Sequence, residues 1–148
     1  VRSDPSVVPD TRVRLLDVRD EPLSLDEVLA AVRDPAAGAV ALFVGVVRQA
    51  DHEKSVDALD YSAHPSAVEA LAAAAATVVR DDITALAAVH RTGHLEVGDT
   101  AVVVAVSAPH RGPALEVCRE MIDTLKRTVP IWKHQQFSDG SDEWVGLP

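Results

Sequence analysis

Ser107–Lys133 reads SAPHRGPALEVCREMIDTLKRTVPIWK. Ala114, Leu115, Cys118, Met121, Ile122, Leu125 and Val129 fall at spacings of three and four, which predicts one apolar helix face. Arg119, Glu120, Asp123, Thr124 and Arg127 fall on the other side. Small and turn-forming residues from Ser107 to Pro113 mark the start, and Pro130 supplies the stop. His110 and Arg111 therefore sit at the helix N-terminus, where free N–H groups and the positive dipole end suit an anion. Lys126 flanks the apolar face, four residues after Ile122. Lys133 lies in Ile131-Trp132-Lys133, a short strand by its apolar content. If that strand folds back along the helix, the two lysines reach one pocket. The plainer alternative is that Lys126 lies along the core edge with its ammonium in water while Lys133 points outward.

Composition bounds the answer. A chain of 148 residues is one domain with room for a proper core. The net charge of −9 argues against non-specific nucleic-acid binding, which needs a basic footprint. A local basic pocket stands out more against such a background. The single cysteine, Cys118, forbids an internal disulfide, fits a reducing cytoplasm and reads as an inert core thiol. No stretch resembles a signal peptide or an uncharged run of membrane-spanning length.

Outward from the helix, Val1–Thr11 reads as a loose tail, with the domain running over 13–148 and a flexible segment over 1–12. Val13–Val18 is a strand. Ser24 and Glu27 form a capping box for a helix reaching about Arg33. Ala39–Val47 (AVALFVGVV) is continuously apolar, which predicts a strand buried on both faces near the middle of a sheet, with Gly45 marking a bulge or a close approach. Arg48 follows at the strand's end. Val56–Tyr61 alternates as a half-buried strand. Ser66–Arg80 is an alanine-rich helix with Val68, Leu71, Ala72, Ala75, Val78 and Val79 inward. Ile83–His90 and Thr100–Ser107 are strands, separated by turns at Arg91-Thr92-Gly93 and Gly98-Asp99. Asp139-Gly140 signals a hairpin closing on a last strand at Trp144 and Val145. The order β-α-β-β-α-β-β-α-β-β predicts an α+β domain with a mixed β-sheet and flanking helices.

Chemistry narrows by elimination. His90 and His94 are four apart, but Arg91-Thr92-Gly93 breaks any helix between them, and no cysteine or carboxylate cluster completes a metal set. No GxSxG elbow anchors a Ser-His-Asp triad, and no Walker loop or GxGxxG supports nucleotide binding. A basic set remains: Arg48, His110, Arg111, Lys126 and Lys133, each at the end of a strand or helix. Arginine suits bidentate phosphate binding, and a lysine beside an apolar face can have a lowered pKa and act as acid, base or nucleophile. The residues describe an anion pocket with one or two working lysines, for a substrate bearing phosphate or carboxylate.

FVGVVR (Phe43–Arg48), Tyr61 with its following helix, HRTGHLEVGD (His90–Asp99), SAPHR (Ser107–Arg111) and LKRTVPIWK (Leu125–Lys133) occur in one order and spacing. Together they resemble the large, catalytic subunit family of molybdopterin synthase, from about Ala39 to Val145. The resemblance implies an α/β-hammerhead fold and a homodimer that binds a small ubiquitin-like subunit at each outer end, as a heterotetramer. It implies transfer of sulfur from that subunit's C-terminal thiocarboxylate to cyclic pyranopterin monophosphate, forming the dithiolene of molybdopterin, with no metal or redox cofactor. By the same resemblance Lys126 is the first catalytic residue and Lys133 the second. Arg48, His110 and Arg111 hold phosphate and pterin, Val46 and Val47 offer backbone groups, and Phe43 lines the wall. The family follows the second lysine with a basic residue and a glutamate. His134 and Gln135 stand there instead, within the same substrate-binding stretch, and alter its charge balance. Two rival expectations remain: a non-catalytic module binding a ubiquitin-like tail or a phosphate-bearing ligand, and a small phosphotransferase, which the missing phosphate loop disfavours.

Overall fold

A computed structural model of the chain describes residues 10–51 and 54–146. The elements are β1 (Val13–Arg19), α1 (Leu25–Val32), β2 (Ala39–Val46), β3 (Ala50–Asp51), β4 (Lys54–Ala63), α2 (Ala67–Val78), β5 (Ala85–Arg91), β6 (Gly93–Glu96), β7 (Thr100–Ala108), α3 (Arg111–Thr128), β8 (Ile131–Phe137) and β9 (Asp142–Gly146). They form a mixed α+β domain with two sheets. One has the order β1-β5-β7-β2, parallel only between β1 and β5; the other has the order β3-β4-β8-β9, with β6 paired to β4. The single mixed sheet expected from the sequence is thus two, and β3 and β6 are additional short strands.

Strands β5 and β7 are buried along nearly their whole length because helices cover both faces of their sheet. The side chains alternate accordingly. Leu86 and Ala88 on β5, with Val102, Val104 and Val106 on β7, pack with the α2 and α3 side chains Leu71, Ala75, Met121 and Leu125. Ala85, Ala87 and Val89, with Val103 and Ala105, pack with Val28 and Val32 of α1. A smaller cluster of Val47, Leu59, Leu95 and Ala101 joins the two sheets, with Tyr61 against it.

Strand β2 differs from its expected place. It lies at the edge of its sheet, bonded only to β7, and Val40, Leu42 and Val46 are exposed. Helix α1 is eight residues long and lies over β1, β5 and β7, so one face of β2 has no cover. An apolar run records low polarity, not the number of neighbours. Gly45 does mark a bulge: the register with β7 shifts between Gly45 and Val46, and a Cβ there would meet Val102 at 2.6 Å.

Helix phases shift similarly. On α3 the buried residues are Ala114, Val117, Cys118, Met121, Ile122 and Leu125, while Leu115 is exposed. On α2, Leu71, Ala74, Ala75 and Val78 are buried, whereas Val68 and Ala72 are exposed. Alanine on every face of α2 leaves its phase undetermined by periodicity. The capping box at α1 is half formed. Ser24 accepts from the Glu27 N–H at 3.2 Å, but the Glu27 carboxylate turns to the Arg19 guanidinium, at 2.9 Å. A charged partner outcompetes the Ser24 N–H.

Of the expected tail, residues 1–9 lie outside the described residues. Arg12 bonds to Asp10 and to the Arg80 carbonyl, and Val13 N–H donates to the Asp10 carbonyl. The β8–β9 hairpin turns at Asp139-Gly140, with Gly140 at φ 86°. No described helix is long and apolar enough to cross a membrane.

The helix phase is testable by chemical denaturation. Leu71→Ala should lose about 2–5 kcal/mol through its cavity, and Val68→Ala should change stability by less than about 0.5 kcal/mol. Equal losses would contradict this burial pattern.

Candidate functional site

Helix α3 ends because Pro130 stops it, and Val129 leaves helical geometry at φ −85°, ψ 123°. Ile131 then opens β8, which runs back antiparallel to β4. In that pairing Lys133 lies opposite Tyr61 on one side and Val145 of β9 on the other. Directly opposed residues share a face, so the three side chains form one wall. The last turn of α3 supplies Lys126, Leu125 and Val129, and β5 supplies His90. Together with Ile131 and Gly146 these residues enclose a cavity of about 320 Å³. Gly146 is the position that admits β9 here. Its φ is 131°, and a Cβ would stand 2.6 Å from the Ile131 carbonyl oxygen.

The chain has three lysines, and two of them line this cavity. Neither has a carboxylate partner among the described residues. Lys126 is reachable by solvent from the mouth, yet protein crowds the ammonium from the other sides. That desolvation, with the Lys133 charge nearby, lowers its pKa below the usual 10.5. Burial raises the pKa of the Tyr61 hydroxyl in the same cavity. His90 is buried, and desolvation followed by the Lys126 charge lowers its pKa to about 4. The plainer view of Lys126, a cation at a helix C-terminus favoured by the dipole, explains its position but not its fellow lysine.

The remaining sequence-singled residues divide. His110 and Arg111 stand at the other end of α3, beside a second cavity with Gly38, Ala39, Pro109, Gly112 and Pro113. His110 occupies the N-cap position without spending its side chain on a cap, and the first turn carries no acidic residue. Pro113 is tolerated there because first-turn N–H groups have no intrahelical acceptor. Fifteen residues separate Arg111 from Lys126, which at helical rise is about 22 Å. One chain therefore does not bring these two cation sets together.

Arg48 is exposed and pairs with Asp51 at 3.2 Å. The other Asp51 oxygen accepts from Gln135 Nε2 at 2.6 Å, and Gln135 also donates to Glu143 at 3.2 Å. Gln135 follows Lys133 by two residues on the same strand, hence on the same face. Arg48 thus connects to the lysine strand through Asp51 and Gln135. Val47 N–H donates to the Asp99 carbonyl and its own carbonyl accepts from Gly98, so both its backbone groups are engaged; Val46 is exposed. Phe43 lines a different groove, with Leu115 and Cys118. His134 bonds to Asp142 at 2.7 Å and stacks on Trp144 at 4.3 Å. His94 pairs with Asp60 and Glu96 at the surface, far from joining His90 in a metal set.

The cavity residues without a role from sequence are Tyr61, His90, Val145 and Gly146. Tyr61 and Val145 were within reach of strand alternation once Lys133 was placed, but only with the register in hand. His90, a lone histidine ending an apolar strand, gave a signal that sequence alone could not direct.

Geometry thus defines an α+β domain with an amine-lined cavity where a helix C-terminus meets a hairpin. The chain belongs to the MoaE protein family, whose sequence model matches residues 18–128. It is 44% identical over 129 residues to molybdopterin synthase catalytic subunit 1 of Mycobacterium tuberculosis, covering 86% of this chain and 87% of that one. It is 34% identical to the human molybdopterin synthase catalytic subunit, covering 98% and 78%. Among solved structures, molybdopterin synthase from Staphylococcus aureus matches with a TM-score of 0.83 and 30% identity, covering 89% and 97%.

Two outcomes test the site's electrostatics. Between the lowered Lys126 pKa and 10.5 the native state binds fewer protons than the unfolded chain, so its contribution to stability rises with pH through that window. Lys126→Met should raise the melting temperature at pH 7 and flatten that rise; a melting curve like wild type at every pH would contradict the desolvated ammonium. Gln135→Glu would set a third carboxylate against Asp51 and Glu143. It should lower stability by about 1–3 kcal/mol at pH 7 and by less at pH 4, read by denaturant titration. Unchanged stability would refute the amide's bridging role.

Proposed function

We propose that this chain is the catalytic subunit of a molybdopterin synthase. In two transfers, each moving one sulfur from the C-terminal thiocarboxylate of a small ubiquitin-like subunit and leaving a carboxylate there, it converts cyclic pyranopterin monophosphate to the dithiolene of molybdopterin as the cyclic phosphate opens. The observation that carries the proposal is the convergence of Lys126 and Lys133 in one cavity, unpaired with carboxylates, in a chain of net charge −9. An anionic thiocarboxylate must meet an anionic phosphate ester, and fixed ammonium groups offset that repulsion and stabilise charge that develops during transfer. Lys126, with its lowered pKa, keeps more free amine near neutral pH than an ordinary lysine and is the first working group. Lys133 supports the leaving oxygen or donates a proton.

His110 and Arg111 hold the phosphate end of the substrate, on the uncapped N-terminus of α3. Arg48 adds charge at the strand end that Asp51 and Gln135 tie to Lys133. His134 and Gln135 shape this rim, while Phe43 and Val46 line substrate-facing surface on β2; Val47, buried with both backbone groups engaged, holds the strand end in place. Because one chain separates the two cation sets by about 22 Å, a second copy brings its His110 and Arg111 to the Lys126 cavity. The working unit is then a homodimer, and a heterotetramer with the small subunit, in the cytoplasm.

The assay mixes the chain with thiocarboxylated small subunit and cyclic pyranopterin monophosphate and measures molybdopterin. Lys126→Ala should abolish product while fold and small-subunit binding persist, and Arg111→Ala should mainly raise KM. Near-normal turnover by Lys126→Ala would remove the central assignment. A stable complex without turnover by the wild-type chain would favour the binding-module reading. At substrate well below the Arg111→Ala KM, co-refolded Lys126→Ala and Arg111→Ala chains should add roughly a quarter of wild-type activity to that of the separately refolded variants, since half the dimers then hold one intact site. No recovery would place each site within one chain.

A further inference from the structure

His90 is the buried titratable group that the proposed chemistry leaves unused. The alternation that turns Leu86 and Ala88 of β5 toward α2 and α3 puts His90 on the same face, beneath the end of α3. Its residue is 1% exposed, its ring meets Tyr61 edge-on at 4.9 Å, and it lines the cavity with Lys126 and Lys133. Nδ1 lies 2.7 Å from the Arg91 carbonyl oxygen. A carbonyl only accepts, so Nδ1 carries the hydrogen and Nε2 of the neutral ring is a lone-pair acceptor. Nε2 is buried and has no hydrogen-bond partner among the described residues. Its register neighbours, Val18 on β1 and Val102 on β7, have no side-chain donor. The titratable groups facing it across the cavity are Tyr61 from β4, Lys126 from α3 and Lys133 from β8. Burial, and then the Lys126 charge, disfavour an imidazolium there, so the ring serves as an acceptor and not as a base.

We propose that His90 is a positioning residue for Lys126: its Nε2 accepts a hydrogen bond from the Lys126 amine and draws it to the cavity floor, while the Arg91 carbonyl locks the required tautomer. Lys126 carries a flexible four-carbon stem and has no side-chain partner among the described residues, so it is free to make this bond. A buried acceptor without a donor is unfavourable, and the bond satisfies it. An acceptor favours the ammonium over the amine, so His90 also limits how far the Lys126 pKa falls. This assignment rests on the reading of Lys126 as the working lysine, and names the group that aims it.

The test is NMR of the full chain without partner or substrate, following the Lys126 side chain across pH. His90→Phe keeps the ring contact with Tyr61 but removes the acceptor; His90→Gln restores one. The Lys126 titration should move to lower pH in His90→Phe and return toward wild type in His90→Gln. The wild-type His90 ring should be the neutral Nδ1–H tautomer, and Lys126→Met should shift its Nε2 resonance. In turnover, His90→Phe should lower kcat about tenfold with KM within about twofold, and His90→Gln should recover most of the loss. An unmoved Lys126 titration in folded His90→Phe overturns the proposal, as does an Nε2–H tautomer in wild type. If His90→Phe does not fold, the Nε2 resonance decides: no change in Lys126→Met overturns it. The spectra are read without substrate, so a moved titration with no turnover in wild type counts against the sulfur-transfer reading alone.

Discussion

Two ammonium groups held at one cavity without a facing carboxylate repel each other, and the rest of the architecture must hold them there. Packing supplies the restraint. Helix α3 buries Val117, Met121 and Leu125 against the β5–β7 layer, which fixes the height and rotation of its last turn. Pro130 ends the helix, and β8 returns between β4 and β9 with Lys133 locked opposite Tyr61 and Val145. Among the described residues, neither lysine is placed by an ion pair. Burial of each large apolar side chain contributes on the order of 1.5–3 kcal/mol, which several such residues in α3 multiply well beyond the repulsion of two partly solvated charges.

Charge distribution elsewhere sharpens the contrast. Arg12, Arg14, Arg19 and Arg80 are each bound to carboxylates, so these cations serve local structure. Cations left without such partners among the described residues include Lys126, Lys133 and Arg111, all at the ends of α3 or on the strand that follows it. Gln135 shows the same economy at the rim. Between Asp51 and Glu143 an amide donates where a carboxylate would repel, so the residue type at 135 is matched by its surroundings.

Much of this was legible in the sequence, and particular residues show where legibility ended. The period of α3, the Pro130 stop, the β8 return and the Asp139-Gly140 turn follow from local rules, and they carry Lys126 and Lys133 to one place. Leu115 and Val68 misled because periodicity fixes a helix face only to within one neighbouring position. Strand β2 misled because an apolar run does not reveal whether a helix as short as α1 reaches over it. The separation of His110 and Arg111 from the lysines was implicit in the length of α3. Tyr61, His90 and Val145 required the register between strands far apart in sequence, which no local pattern encodes. Recognition of the family rested on several short motifs in order, and the match over 18–128 agrees with it.

The most direct test of the central claim is competitive acylation of the chain's lysines at neutral pH with a trace of reagent, read by mass spectrometry. Lys126 should acylate faster than Lys54, which is ion-paired with Asp139 in the open, because a lowered pKa leaves more free amine. A Lys126 no more reactive than Lys54 in the native chain would contradict the account of this cavity as the reactive centre.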